Sequence, residues 1–227
     1  MSDQLIRTQL EKTGGLKSLK DLMRVKLSER VFLLIDCSGS MNEYMRNGKK
    51  RIDGLRTVVE QVQSQKPTTM IAFGPRNADH IDVFFTTTVP DPDGGTPLHR
   101  AIELARTNGA GRLLVISDGI PDLSQQCLEE AKSFGGPIDV VYVGDPDDPT
   151  QAWTESRPAV QFMDELAKVT GGSKFDGDLS QPKALAGAVI GLLSGEVLVD
   201  DDDEDAEDDN ESADEDNDED NDEEDDQ

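Results

Sequence analysis

The sequence predicts an α/β protein with a doubly wound, mostly parallel central sheet that is flanked by helices on both faces. Short apolar runs such as 113–116 carry no polar face, which is typical of strands buried on both sides of a parallel sheet. These runs alternate with segments whose apolar residues recur at helical spacing. Strands that alternate with amphipathic helices are the pattern of a Rossmann-like sheet.

Each predicted element follows from its local pattern. The run 31–36 stays apolar until Asp36, whereas 81–85 alternates apolar and polar residues, which favours an edge strand. Amphipathic spacing marks the helices, and Pro, Asp and Gly mark the loop 90–95. We predict strands at 31–36, 68–73, 81–85, 112–117, 138–143 and 173–176, and helices at 52–63, 98–106, 123–134, 159–170 and 182–193.

The chain divides into three predicted units: a helical flank at 1–27, a folded domain at 28–195 and an acidic tail at 196–227. Of the 28 residues at 200–227, 21 are Asp or Glu and none is Lys or Arg. Removing those charges from the formal net charge of −26 leaves −5 for the rest of the chain. Such a segment buries too little apolar surface to offset its ordering entropy, so we predict that it is disordered.

The composition limits the cellular compartments and the classes of partner that we expect. Cys37 and Cys127 have no framework spacing, which predicts free thiols in a reducing compartment, with Cys37 packed in the core. The N-terminus is polar and unlike a secretory signal, and no apolar run approaches the roughly 20 residues of a membrane helix. We therefore expect a cytoplasmic protein without a membrane partner. The body lacks basic–aromatic interleaving, so we expect no direct binding of nucleic acid.

Polar side chains collect at the ends of the predicted strands. Asp36, Ser38 and Ser40 follow the first strand, Thr96 lies in the loop 94–97, and Asp118 follows the strand 112–117. Hard cations such as Mg²⁺ prefer oxygen ligands of this kind. Ligands of doubly wound sheets bind beyond the carboxyl ends of the strands, so we expect these three loops to converge on a metal site.

Over residues 28–195 the chain resembles the von Willebrand factor type A domain family. The resemblance lies in Asp36-Cys37-Ser38-Gly39-Ser40, in the loop 94–97 and in 115–119. It implies a complete metal-ion-dependent adhesion site in which Mg²⁺, with Mn²⁺ or Ca²⁺ as alternatives, is held by all five predicted residues: Asp36, Ser38, Ser40, Thr96 and Asp118.

The resemblance also implies how that site works. The serines coordinate the ion directly, the threonine directly or through water, and the aspartates largely through water, which leaves one position open for a carboxylate. The partner is then a protein that presents Asp or Glu, and the module is not an enzyme. Intracellular members of the family often work beside AAA+ ATPases of the MoxR or chelatase type, as adaptors or activators.

Two other functions stay open on the residues alone. The acidic tail could act as a nucleic-acid mimic or scaffold, with the folded domain secondary. A hydrolase could use Ser38, His99 and Asp118 as a triad, but Asp36 and Ser40 replace the glycines of a nucleophile elbow, and we expect His99 to be a surface residue. The tail could also serve solubility alone, or contact the metal site within the same chain, since it carries many carboxylates.

Overall fold

The computed structural model describes residues 30–76, 81–144 and 158–194. Within these ranges every predicted strand and helix is present, with ends that differ from the prediction by at most two residues. The strands are β1 (Val31–Asp36), β2 (Thr69–Phe73), β3 (Val83–Thr86), β4 (Arg112–Ser117), β5 (Ile138–Tyr142) and β6 (Lys174–Asp176). The helices are α1 (Arg51–Gln65), α2 (Leu98–Thr107), α3 (Ser124–Phe134), α4 (Ala159–Thr170) and α5 (Pro182–Ser194), and a short 3₁₀ helix spans Gly39–Asn42.

The six strands form one sheet in the order β3-β2-β1-β4-β5-β6. All neighbours run parallel except β3, which is antiparallel to β2. The segment between β2 and β3 is too short for the crossover that a parallel neighbour needs, so the two strands pair antiparallel. The doubly wound fold and the edge position of the third strand are therefore both confirmed.

Two apolar cores lie on opposite faces of the sheet. Alternate residues of β1 face opposite sides: Leu34 packs in the core covered by α2, α3 and α4, whereas Leu33 and Ile35 pack in the core covered by α1 and α5. Because both faces are covered, the central strands read as continuous apolar runs. This burial on both faces explains why the strands could be predicted from the sequence.

The strand order creates a switch point between β1 and β4. The chain moves from β1 to β2 on one side and then returns to place β4 on the other side of β1. The loops that leave the carboxyl ends of β1 and β4 consequently diverge and open a crevice, where ligands of such sheets bind.

The first and last described residues lie near the amino ends of the parallel strands, on the side of the sheet opposite the crevice. The Arg30 carbonyl accepts a hydrogen bond from the Gly111 N–H just before β4, and Lys66 Nζ is 2.8 Å from Ser194 Oγ at the end of α5. The predicted flank and acidic tail, at 1–27 and 196–227, lie outside the described residues. In the described part of the chain, no helix combines the length and apolar character needed to cross a membrane.

Candidate metal centre

The crevice between β1 and β4 is lined by two buried carboxylates. Asp36 is the last residue of β1, and Asp118 directly follows Ser117 at the end of β4; both aspartates are 0% exposed. Ser117 Oγ donates a hydrogen bond of 2.6 Å to Asp36 Oδ2. The ends of the two central strands are thereby tied to each other through the first predicted ligand.

The loop after β1 turns back on its own carboxylate. The Ser38 N–H donates to Asp36 Oδ1 over 2.8 Å, which is an Asx-type turn. Cys37, between them, is buried in the core beneath α1 and α5, as predicted. Burial raises the pKa of its thiol, as does the charge of Asp36, so this cysteine packs as a small apolar side chain.

Hydroxyl groups connect this loop to the second carboxylate. Ser38 Oγ and Ser40 Oγ lie 3.0 Å apart in a hydrogen bond, and Ser40 Oγ donates to Asp118 Oδ1 over 2.8 Å. Three of the predicted ligands therefore form one connected chain of oxygen atoms.

Backbone hydrogen bonds attach the third loop. The Gly39 N–H donates to the Gly94 carbonyl over 3.1 Å. The Thr96 N–H donates to Asp122 Oδ2 over 2.9 Å, and the Asp122 N–H returns a bond to the Thr96 carbonyl over 3.1 Å. Thr96 is buried, and within the described residues its hydroxyl makes no hydrogen bond. The loops that carry all five predicted residues thus adjoin one another.

Sequence reasoning missed Arg51, the first residue of α1. Its Nη1 donates to Asp118 Oδ2 over 2.9 Å and to Glu43 Oε2 over 2.8 Å, and its side chain is only 9% exposed. A basic residue at the start of a helix is usually exposed to solvent, so nothing in the sequence indicated that Arg51 would bind a buried carboxylate. The supporting roles of Ser117 and Asp122 were also missed, although both lie within four residues of Asp118.

The two carboxylates repel each other in a buried setting. Burial, followed by the charge of Asp118, raises the pKa of Asp36 to about 7, against the lowering effect of its Ser117 and Ser38 hydrogen bonds. Burial also raises the pKa of Asp118, although the Arg51 guanidinium opposes that rise. Added positive charge that balances the two carboxylates would therefore stabilise a centre of this kind.

The donor set suits a small, hard cation. It offers two carboxylates and the hydroxyls of Ser38, Ser40 and Thr96, all of them oxygen donors. Across residues 30–76, 81–144 and 158–194, no three His, Cys, Asp or Glu side chains gather in a metal-binding cluster. A cation here would consequently depend on hydroxyl ligands and water, which leaves it incompletely neutralised.

The arrangement gives no support to a catalytic triad. Ser38 and Asp118 direct their hydrogen bonds to Ser40 and Arg51. His99 is half-buried, whereas we expected a surface residue, and its buried Nδ1 makes no hydrogen bond within the part of the chain that the structure describes. Burial, followed by the charge of Arg100, lowers the pKa of His99.

Comparisons with known proteins inform the fold. No protein-family model matches the chain, and no curated protein matches it. Among solved structures, BatB, a conserved hypothetical protein from Bacteroides thetaiotaomicron, is 20% identical, with a TM-score of 0.49 over 73% of this chain and 98% of that one. The pilus adhesin SpaC from Lactobacillus rhamnosus GG, in its open conformation, is 14% identical, with a TM-score of 0.52 over 72% of this chain and 30% of that one.

At these identities the likeness concerns the fold alone. The chain spans less than a third of SpaC, so the match covers one part of that larger protein. The sheet order, the helices on both faces of the sheet and the structural match to SpaC all indicate the same fold. The described part of the chain has a von Willebrand factor A-like fold.

Proposed function

We propose that the chain is a Mg²⁺-dependent protein-interaction module whose metal centre binds a carboxylate of a partner protein. The observation that carries the proposal is the buried pair Asp36 and Asp118 beside a run of serine hydroxyls. Asp36 has N–H and O–H donors but no ion-pair partner among the described residues, and Asp118 shares its one cation, Arg51, with Glu43. A divalent cation supplies the missing positive charge.

Five residues would hold that ion. Asp36, Ser38, Ser40, Thr96 and Asp118 are the ligands we propose, as the resemblance to the family implies. The bound ion would supply an open coordination position that accepts an external carboxylate. Because hydroxyls are neutral, the ion keeps enough positive charge to attract an Asp or Glu side chain. We assign no catalytic step to this centre.

Metal titration of the full chain tests the first half of the proposal. We expect calorimetry to show one Mg²⁺ site, which Mn²⁺ also fills. Ser38→Ala should weaken it by at least the roughly 10–100-fold that outer-shell changes cost. Ser64→Ala, on the exposed side of α1, is the matched control and should leave the affinity unchanged. Equal affinity in both variants contradicts the assignment.

Partner binding tests the second half. As candidate partner we propose an AAA+ ATPase of the MoxR or chelatase type, with the present chain as its adaptor in a cytoplasmic setting. Immobilised full chain should retain such an ATPase in Mg²⁺ and release it in EDTA, and Asp118→Asn should abolish the Mg²⁺-dependent fraction. Retention that is identical in Mg²⁺ and EDTA would show that the interaction does not use the centre.

A further inference from the structure

A short hairpin stands beside the candidate metal centre. After the 3₁₀ helix the chain turns at Gly48 and folds back, with the Met45 N–H bonded to the Lys49 carbonyl over 2.8 Å and the Arg51 N–H bonded to the Glu43 carbonyl over 3.0 Å. An isolated bridge pairs Tyr44 with Lys50. We call residues 44–50 the basic hairpin, since they include Arg46, Lys49 and Lys50 and lead directly into Arg51.

The lysines of the basic hairpin have no carboxylate partner within the described residues. Lys50 Nζ donates to Asn42 Oδ1 over 2.8 Å and lies 5.6 Å from the centroid of the Tyr44 ring, which is itself 70% exposed. Lys49 is exposed. Several basic residues elsewhere, in contrast, pair with Asp or Glu: Arg56, Arg100, Arg106, Arg112, Lys168 and Lys174.

The basic hairpin also borders an open groove whose wall includes Arg51, the ion-pair partner of Asp118. The groove has a volume of about 540 Å³, and its lining includes Tyr44, Met45, Gly144 and Leu179. Since Arg51 also holds Asp118, an occupant of the hairpin lies next to the candidate ligands. The lysines of the basic hairpin therefore stand beside this groove, whose own wall carries Arg46, Arg51 and one acidic residue, Asp178.

We propose that the acidic segment 200–227 of the same chain docks on the basic hairpin. That segment supplies 21 carboxylates and no basic residue, and the hairpin offers lysines whose charge is not balanced. A tethered segment is present at an effective concentration on the order of millimolar, so even weak charge pairing populates the contact. Exposed charges act over roughly 8–10 Å at ordinary salt, which favours a contact that salt disperses.

The connection is long enough. Ser194 ends α5 at the amino-end edge of the sheet, and the hairpin lies at the opposite edge, about 20 Å away along a six-residue strand. The five residues at 195–199 can span about 17 Å when extended, and the first residues of the acidic segment supply the remainder, so most of that segment can reach the hairpin. Docking there would cover the groove and compete with a partner carboxylate, a consequence that rests on the proposed function, whereas the docking itself does not.

Carbodiimide coupling of the full chain in EDTA tests the docking without the metal. At low salt we expect amide cross-links from Lys49 and Lys50 to carboxylates in 200–227, and we expect high salt to abolish them. Lys132 and Lys183 are exposed controls on α3 and α5. Cross-links that favour these controls, Lys66 or the lysines of 1–29 would overturn the proposal.

A mixture of isotopically light and heavy chains shows whether the contact is internal. We expect cross-links between hairpin and acidic segment only within light or within heavy chains; mixed products would assign the contact to a second copy and contradict the proposal. As a second measurement, amide NMR signals of residues 44–51 should shift between low and high salt in the full chain. That shift should vanish when Asp and Glu in 200–227 are replaced by Asn and Gln, and its persistence would refute the docking.

Discussion

Asp36 can change its charge near neutral pH, because burial and the neighbouring Asp118 raise its pKa to about 7. The unfolded carboxyl has a pKa near 4. The folded state therefore holds a proton that the unfolded state releases, and the stability gained from that proton is complete below about pH 4 and lost as the pH rises through about 7. Asp118 contributes in the same direction, since its pKa is also raised.

In EDTA we expect the free energy of unfolding of the native chain to fall between pH 5 and pH 8 relative to the Asp36→Asn variant, which cannot ionise at that position. Urea unfolding at both pH values measures the difference. Mg²⁺ should remove the fall for the native chain at pH 8, because the cation replaces the lost proton. Parallel pH profiles for the two proteins in EDTA would show that Asp36 is not the titrating group.

Arg51 is the cation already built into the centre. Removing one partner of a buried ion pair costs about 3–5 kcal/mol, so we expect Arg51→Met to lower the free energy of unfolding by that amount in EDTA. Arg56→Met is a matched control, since its partners Asp53 and Asp91 are exposed and such pairs contribute about 0–1 kcal/mol.

Mg²⁺ should restore part of the Arg51→Met loss, because the ion and the guanidinium both stabilise the ionised form of Asp118. Urea unfolding with and without Mg²⁺ measures the recovery. A loss equal to that of Arg56→Met would mean that Arg51 contributes no more than a surface residue.

At the scale of elements, the end of β2 supports the loop after β1. Gly74 follows β2 with φ of 105°, and a Cβ there would lie 2.6 Å from the Ser38 backbone nitrogen. Gly135 has φ of 74° at the end of α3 but has open space where a Cβ would stand. Left-handed backbone alone costs an Ala residue about 1–2 kcal/mol.

We expect Gly135→Ala to lose about 1–2 kcal/mol of stability and to keep its Mg²⁺ response. Gly74→Ala should lose more and should also weaken Mg²⁺ binding, because the loop that carries Ser38 must move. Thermal unfolding with and without Mg²⁺ separates the two effects. A Gly74→Ala variant with native Mg²⁺ affinity would show that the loop tolerates the displacement.

Elements with a regular apolar pattern were predictable, and irregular ones were not. The central strands are buried on both faces, so their sequences are unbroken apolar runs, and each described helix keeps one apolar face. The 3₁₀ helix Gly39–Asn42 is four residues long and buries only Met41, which is too little for any period to show.

The positions of the five proposed ligands could be predicted from the sequence, whereas the residues that support them could not. Asp36, Ser38, Ser40, Thr96 and Asp118 stand at strand ends or in loops whose positions follow from the fold. Arg51 reaches Asp118 across 67 residues, a contact set by how α1 packs rather than by any local spacing. Tertiary contacts of this kind leave no mark in a single sequence.

At the scale of the whole molecule, the sheet separates two cores that do not touch. Ile102 packs in the core beneath α2, α3 and α4, and Val58 packs beneath α1 and α5. Substitutions at distant sites without shared partners add to within about 0.3–0.5 kcal/mol. The cores should therefore respond independently to small losses of volume.

We expect Ile102→Val and Val58→Ala to cost about 0.5–3 kcal/mol each and the double variant to cost their sum. Val58→Ala with Val62→Ala provides the contrast, because these residues are one turn apart on α1 and share a core. Urea unfolding of the single and double variants measures both couplings. Strong coupling across the sheet, as large as that within α1, would contradict the separation of the cores.

The described core begins at Arg30 and ends at Ser194 on the edge of the sheet opposite the candidate metal centre. A surface, a label or a larger assembly attached at Arg30 or Ser194 would therefore contact the side of the module opposite the candidate metal centre. The crevice between β1 and β4 would point outward, toward whatever approaches. Attachment at these two residues suits immobilisation for binding assays, and it lets two different neighbours bind the module at once, one at Arg30 or Ser194 and one at the crevice.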